Sequence, residues 1–458
     1  MSKIFIYGPP ASGKTTLGKA IAEALRMRFV DTDAIVVQRT GTSISEIFAT
    51  SGEAGFRNLE SAALAEACAV EGDAVVALGG GTLLKDENRR LAEANGCVLC
   101  IDEPSAAELE ERIAAAGKTR PLGNKAAERR GHYASFPMRI GAFFFLEDST
   151  VIVGRGFAKA LLPLAPLVVD ENVSALHPEL DDSTIFTMPS GEEFKTPALI
   201  MEMWSAFAQA GLGRRNRVAA AGGGVTGDMT GFAAATWMRG IDWLNFPTTL
   251  LSMVDASTGG KTGCDLPEGK NLAGAFHSPR LVAIDVDFLS TLPPEVLKCG
   301  LAEMIKHRAI GGKDVPVGTE PKEIAGNLAV KIGVVRDDPF ETKGRRILLN
   351  CGHTIGHAVE KASDYALSHG EAVAIGCVEE AKLAARMGLA PTGWPEEFAA
   401  TFKAAGLPVA LPAGMELATL VPLMKGDKKK SGDAVTFALP CGWGDVRGVK
   451  IDLSKGLP

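Results

Sequence analysis

An apolar run, Lys3–Tyr7, leads into Gly8-Pro-Pro-Ala-Ser-Gly13-Lys14-Thr15, and an amphipathic stretch follows. Strand, glycine-rich turn and helix in that order make a phosphate loop. Gly8 and Gly13 let the backbone curl so that its N–H groups face a phosphate at a helix N-terminus. The motif commits the first part of the chain to strand–helix alternation, and so to a parallel sheet covered by helices on both faces. Lys14 is placed to reach the β- and γ-phosphates, and Thr15 to ligate Mg²⁺. Strands are expected at Lys3–Tyr7, Phe29-Val30, Ala74–Leu78, Val98–Ile101 and Val151–Val153, with the first helix running from Lys14 to about Met27.

A second constraint lies far downstream. Three of the seven histidines fall in Gly352-His353-Thr-Ile-Gly-His357 and Ser368-His369-Gly-Glu371. His353 and His357 are four apart and share a helix face. Upstream, Ala302-Glu303-Met-Ile-Lys306 adds an acid and a base in a helical pattern. Two histidines and one carboxylate, with a coordination position left open, make a catalytic zinc set. Spacing alone does not decide which two histidines bind.

At 458 residues the chain holds two or three domains, each able to bury its own core. Its net charge of −7 argues against a general nucleic-acid binder. No stretch approaches the roughly 20 uninterrupted apolar residues of a membrane span. The opening Met-Ser-Lys-Ile-Phe-Ile-Tyr reads as a first strand and not a signal peptide. Cys97 and Cys100 form a CxxC, but inside an apolar strand and without a second pair at zinc spacing, so buried strand is the expectation. A cytoplasmic protein with small-molecule substrates, binding neither nucleic acid nor membrane, is expected.

Other segments supply acceptor chemistry. Asp31 and Asp33 follow the second strand, where alternate residues point to one side; one acid suits Mg²⁺-bound water and the other a hydroxyl. Glu53-Ala-Gly-Phe-Arg57-Asn-Leu-Glu60 offers an arginine for a carboxylate. Gly79-Gly80-Gly81 lets a substrate approach the backbone. In the second half, Gly222-Gly223-Gly224-Val-Thr-Gly-Asp228 follows an apolar run and can seat a pyrophosphate. Pro247-Thr248-Thr249, Gly259-Gly260-Lys261 and an acid–lysine pair, Glu192 with Lys195, stand near it in the sequence. Lys261, Lys270-Asn271, Arg346 and Lys428 or Lys429 give a cationic set suited to a phosphorylated substrate.

Residues 1–150 together resemble shikimate kinase: phosphate loop, Asp-x-Asp, Phe-Arg-x-x-Glu and Gly-Gly-Gly stand in family order and spacing. The resemblance implies an ATP·Mg²⁺ site at Gly8, Ser12, Gly13, Lys14, Thr15 and Thr16, with Arg120 as the lid arginine. It implies shikimate held by Arg57, Gly80 and Arg129, and by Asp33 as base or orienter.

Residues from about 165 to 458 resemble 3-dehydroquinate synthase, through Gly-Gly-Gly-Val-x-x-Asp, Pro-Thr-Thr-Leu-Leu, Gly-Gly-Lys, Gly-Lys-Asn, Ala-Glu-x-x-Lys and Gly-His-Thr-x-Gly-His. This resemblance implies Glu303, His353 and His369 as ligands of Zn²⁺ or Co²⁺, leaving His357 for catalysis or phosphate contact. It implies NAD⁺ on Glu192, Lys195, Gly223, Gly224, Asp228, Thr248, Thr249, Lys261 and Lys270. Substrate phosphate would meet Lys261, Asn271, Arg346 and Lys429, while Asp255, Lys306 and Lys331 orient hydroxyls and carboxylate. A homodimer through the synthase region is implied.

The chain departs from that family at Cys264-Asp265, at Glu295, and at a start near Leu167, where opening strands are expected to be missing or shortened. The expected architecture is α/β throughout. It comprises a P-loop kinase domain (1–155), a linker (156–165), an NAD-binding α/β part (166–292) and a mainly helical metal-binding part (293–458).

Overall fold

The computed structural model describes residues 3–102, 129–426 and 434–458. The chain forms two compact units. The first is Met1–Leu164 with Arg280–Asp287; the second is Ala165–Pro279 with Phe288–Pro458. The division thus falls at Leu164, and a segment expected inside the 166–292 part belongs to the first unit.

In the first unit, strands β1 (Lys3–Tyr7), β2 (Arg28–Asp31), β3 (Ala74–Ala77), β4 (Gly96–Ile101), β5 (Arg139–Phe145) and β6 (Thr150–Arg155) form one sheet. Their order is β2-β3-β1-β4-β5-β6, followed by the strand Leu281–Asp285. Pairing is parallel as far as β5, antiparallel between β5 and β6, and parallel again onto Leu281–Asp285. A wholly parallel sheet was the expectation; the turn between β5 and β6 is short enough for a hairpin, which forces an antiparallel step. Every residue of β1 and β3 is buried, as continuous apolar strands covered on both faces require. Phe5, Tyr7, Leu64, Val76, Val98 and Phe136 share one core.

Two local expectations change. The helix after the phosphate loop spans Lys14–Ala24 and stops short of Met27, because Arg26 turns to φ 47°. Asp33 is not in an extended segment: Asp31 caps the helix Thr32–Thr40, accepting from the N–H groups of Asp33 and Ala34. Helix Ile44–Ala69 opens with a Ser43/Glu46 capping box and breaks at Gly52 (φ 66°). Beyond the break, Glu53, Arg57 and Glu60 recur at helical spacing and share a face.

The second unit starts with four parallel strands, β7 (Leu167–Asp170), β8 (Thr184–Met188), β9 (Arg217–Gly222) and β10 (Asp242–Pro247), in the order β10-β9-β7-β8. Val168, Met203, Phe207, Val218, Met229 and Trp243 fill the layer between this sheet and its helices. An antiparallel hairpin, Lys261–Leu266 with Gly269–Phe276, follows. Six helices of ten or more residues then run from Pro294 to Gly426. The tail is an antiparallel hairpin, Ala434–Gly442 with Asp445–Asp452. Helices His353–Ala362 and His369–Arg386 pack at close range. Gly376 leaves no room for a Cβ against the Gly352 carbonyl, and Gly352 itself has φ 78°.

Candidate active sites

The phosphate loop takes the form its sequence requires. At Gly8 (φ 140°) a Cβ would stand 2.8 Å from the Ile101 carbonyl oxygen, so only glycine fits. Gly13, in the left-handed region, caps the helix that starts at Lys14. Ser12 is fully buried, and Thr16 lies in the first turn. Lys14 folds back, donating to the carbonyls of Gly8 (3.0 Å) and Pro9 (2.6 Å). The Thr15 hydroxyl donates to Asp31 Oδ2 at 2.9 Å. Hydroxyl and carboxylate thus stand together, as a hydrated Mg²⁺ between them needs.

The acceptor residues also converge. Arg57 pairs with Glu60 and with Glu53 (3.1 Å), and Arg129 reaches the same Glu53 oxygen at 3.7 Å. Two guanidiniums facing one half-exposed carboxylate make a site where a substrate carboxylate can replace Glu53. A Cβ at Gly79 would stand 3.1 Å from Asp33 Oδ1, and one at Gly81 would collide with the Arg57 guanidinium. The glycines therefore line the site that holds Asp33 and Arg57. Glu60 is fully buried; burial raises its pKa, and Arg57 opposes the rise. Spacing gave Glu60 no role, yet it anchors Arg57 from beneath and accepts from the Thr82 hydroxyl at 3.0 Å. Tyr133 and Tyr7 both donate to the Gly80 carbonyl, at 2.8 and 3.3 Å. Arg120 lies outside the described residues.

In the second unit, Glu303, His353 and His369 offer ligand atoms within 4.8 Å of one another. His353 Nε2 and His369 Nε2 stand 3.5 and 3.4 Å from Glu303 Oε1. His353 Nδ1 faces the Cys351 carbonyl at 3.1 Å, which fixes its proton there and turns the Nε2 lone pair inward. Both Glu303 oxygens are buried, Oε1 facing the two imidazoles and Oε2 the Lys306 ammonium. A buried carboxylate oxygen with two imidazole nitrogens turned onto it is the donor set of a divalent metal, so the residues fit one. A second group, His357, Glu360 and His369, shares His369.

Behind the metal set lies a charged cluster. Asp255 sits on a π-helical turn, Ser252–Ala256, a form common at functional sites. Lys331 Nζ meets Asp255 Oδ1 at 2.5 Å and its backbone oxygen at 2.6 Å. Lys306 bridges Glu303 and, at 3.9 Å, Asp255. Burial pushes the Asp255 pKa up, but the two lysines and His307 hold it well below the carboxylate range. His307, which the sequence did not single out, is fully buried. Asn327 donates through Nδ2 to the carbonyls of Met304 and Pro316, so its oxygen must accept from His307 Nδ1 at 2.8 Å.

Gly223 caps the helix Gly224–Thr236, and a Cβ on it would touch the Thr249 methyl at 3.3 Å. Thr248 N–H donates to the Gly222 carbonyl at 2.9 Å. The expected Glu192–Lys195 pair is replaced. Lys195 reaches Asp228 and Asn271, both at 2.7 Å, while Glu192 faces Lys270 at 3.9 Å. The short helical turn between Glu192 and Lys195 sends the side chains to different partners. Asn271, expected at the phosphate, instead accepts from Lys195. Asp265, a departure from the family pattern, accepts the Asn271 N–H at 2.7 Å and so supports its positive φ of 54°. Lys261 pairs with Glu341 at 2.5 Å, and Arg346 donates to the carbonyls of Pro339 and Gly259. Lys428 and Lys429 lie outside the described residues.

No helix among the described residues is long and apolar enough to cross a membrane. The eight cysteines, Cys97 and Cys100 included, are unpaired.

Family models match at three places: "Shikimate kinase" over residues 10–139, "3-dehydroquinate synthase N-terminal" over 185–299 and "3-dehydroquinate synthase C-terminal" over 300–430. The 3-dehydroquinate synthase of Synechococcus sp. is 45% identical over 277 residues, 57% of this chain and 75% of that protein. A 2-deoxy-scyllo-inosose synthase, solved with carbaglucose-6-phosphate, NAD⁺ and Co²⁺, superposes with a TM-score of 0.61 at 25% identity, covering 69% of this chain and 97% of its own. ValA, a 2-epi-5-epi-valiolone synthase from Streptomyces hygroscopicus with NAD⁺ and Zn²⁺ bound, gives 0.57 at 27%, covering 68% and 95%. The chain belongs to the 3-dehydroquinate synthase family and carries a shikimate kinase at its N-terminal end, a fusion of two enzymes of the shikimate pathway.

Proposed function

We propose that the first unit phosphorylates shikimate from ATP·Mg²⁺ to give shikimate 3-phosphate. The second converts 3-deoxy-D-arabino-heptulosonate 7-phosphate to 3-dehydroquinate and phosphate, with NAD⁺ and Zn²⁺ or Co²⁺. The observation that carries the second half is the convergence of Glu303, His353 and His369 beside Lys306, Asp255 and Lys331. A His₂-carboxylate set accepts either metal, and one similar structure is titled with Co²⁺, another with Zn²⁺.

In the kinase, Arg57 and Arg129 grip the shikimate carboxylate and leave Asp33 to orient the attacking hydroxyl and take its proton. Lys14 swings from its carbonyl contacts onto the transferred phosphate, and Thr15 with Asp31 serves Mg²⁺. Arg120 is assigned to the phosphates by the likeness to shikimate kinase.

In the synthase, the bound NAD⁺ supplies reversible hydride transfer, and the metal polarises the reacting hydroxyl. The chain's residues do the positioning. Lys195, Asp228, Thr248 and Thr249 seat the nucleotide, and Lys261, exchanging Glu341 for it, holds the substrate phosphate together with Arg346. Asp255, Lys306 and Lys331 orient hydroxyls and carboxylate, and His357, on the metal-facing side of its helix, passes a proton. We assign both reactions to the cytoplasm, in a homodimer formed through the synthase region.

The test pairs two assays on the purified full chain: phosphate release from the heptulosonate phosphate with catalytic NAD⁺ and metal, and ADP formation with shikimate. Wild type should perform both. His353→Ala should lose only the first and Asp33→Asn only the second. Net NADH formation without phosphate release would instead indicate a polyol dehydrogenase.

A further inference from the structure

The two overlapping metal groups share His369, and one imidazole has two nitrogens. Nε2 faces Glu303 and His353, whereas Nδ1 faces Glu360 Oε2 at 3.6 Å. A neutral histidine that ligates through Nε2 must carry its proton on Nδ1, and a carboxylate there fixes the ring and strengthens the ligand. The arrangement therefore makes Glu360 the partner of a ligand, not a ligand itself.

Glu360 has a second contact. Its Oε1 accepts from Lys270 Nζ at 3.2 Å. Lys270 also lies 4.6 Å over the ring of Tyr365 and 3.9 Å from Glu192. Tyr365 is held at φ 60° and its neighbour Asp364 at 52°, left-handed conformations that cost energy in a non-glycine residue. The strain places an aromatic face against the Lys270 ammonium. The next residue along the strand, Asn271, accepts from Lys195, which also binds Asp228 of the nucleotide loop. Consecutive residues of one strand thus touch the metal's supporting carboxylate and the lysine that binds Asp228.

We propose that Glu360 is a positioning residue that couples the metal centre to the nucleotide loop, by holding the Nδ1 side of His369 with one oxygen and Lys270 with the other. The inference rests on the metal and NAD⁺ reading above. It predicts that metal and nucleotide change each other's affinity by the same factor, since binding free energies are reciprocal.

The test uses full-length protein stripped of metal and nucleotide, with Co²⁺ affinity read by competition against a coloured chelator. NAD⁺ affinity is read with and without Co²⁺. Glu360→Ala should weaken Co²⁺ binding about 10- to 100-fold, as loss of such a partner does elsewhere, and should bring the effect of Co²⁺ on NAD⁺ affinity close to unity. Glu360→Gln, which keeps an acceptor, should retain more of the metal affinity than Glu360→Ala. His353→Ala should all but abolish binding, and His357→Ala should change it less than about threefold. Thermal unfolding of each metal-free variant within a few degrees of wild type would separate positioning from general damage.

Unchanged Co²⁺ affinity in Glu360→Ala overturns the role. A collapse in Glu360→Ala and His357→Ala, with His353→Ala spared, overturns it in favour of Glu360 as a ligand. Weaker metal binding with the NAD⁺ linkage intact overturns the coupling alone. Failure of wild type to bind Co²⁺ would overturn the metal reading and this role together.

Discussion

Asp285 accepts the backbone N–H of Gly156 at 3.0 Å, across 129 positions of sequence, and its other oxygen takes the N–H of Ala158 at 2.8 Å. The carboxylate is almost fully buried at the end of the strand that pairs with β6. It closes the first unit with a segment encoded after the whole β7–β10 sheet. Asp285→Ala removes the acceptor of three backbone N–H groups, those of Gly156, Ala158 and Asp287, and should destabilise the first unit by about 1–3 kcal/mol for each one left without a partner. Thermal unfolding of the full chain, with kinase activity followed alongside, checks this. An unchanged transition would show that the strand is held without the cap.

Arg57 balances the buried Glu60, so its removal acts on stability and on binding together. Arg57→Ala leaves an uncompensated buried carboxylate and should destabilise by about 3–5 kcal/mol. Arg57→Lys keeps the charge but loses the bidentate fork. It should raise the KM for shikimate at least tenfold with little change in the KM for ATP. Equal shifts in both KM values would argue against a shikimate-specific role.

Asp33→Asn removes the proton acceptor without changing shape. The kinase kcat should fall by about 10²–10⁴, the usual worth of a positioned base, with shikimate binding by calorimetry nearly unchanged. A fall of less than threefold would leave Asp33 as an orienting group only.

His307 gives a pH signature. Burial and the nearby Lys306 lower its pKa to about 4, against Asp255, which pulls upward. Its unfolded value is near 6.5. Between these values the unfolded chain binds the extra proton, so stability falls as pH drops below about 6.5 and stops falling on this account near 4. A tenfold change in proton activity is worth about 1.4 kcal/mol here, so the loss across this window is of the order of 3 kcal/mol. His307→Asn should flatten the decline of Tm between pH 7 and pH 5, whatever its effect at pH 7. An equally steep decline would assign the acid lability to other groups.

Glu303→Gln should remove tight transition-metal binding and all phosphate release while leaving shikimate phosphorylation, which rests on Thr15 and Asp31, within twofold. Metal content by mass spectrometry and the two assays in parallel check this. Loss of kinase turnover as well would point to damage beyond the metal set.

The parts legible in the sequence were those set by local chemistry. Gly8 and Gly13 have to adopt backbone conformations that a side chain opposes, and Lys14 and Thr15 follow from the loop they frame. His353, His357 and Glu303 were legible because helical spacing fixes which residues share a face. Partner choice was less legible. Glu192 and Lys195 looked paired at three residues apart, yet Lys195 turned to Asp228 and Asn271, 33 and 76 positions on. Asp31 and Asp33 stand at the spacing of strand neighbours, but the Asp31 carboxylate was better used capping a helix. His307 and Glu360 carried no motif of their own, and Glu60 closed one without a stated role; each matters because of what burial places beside it.

The two chemistries follow from residue order alone, because phosphate loops and His₂-carboxylate sets need particular residue types at short, fixed separations. Which charges meet is a matter of folding. Folding set Glu53 between Arg57 and Arg129, Lys331 on Asp255, and Glu360 between His369 and Lys270. It also carried Leu281–Asp285 into the first unit's sheet. These pairings join residues from a few to more than a hundred positions apart. They depend on the layering of sheet and helices, and a one-dimensional spacing does not contain that distance.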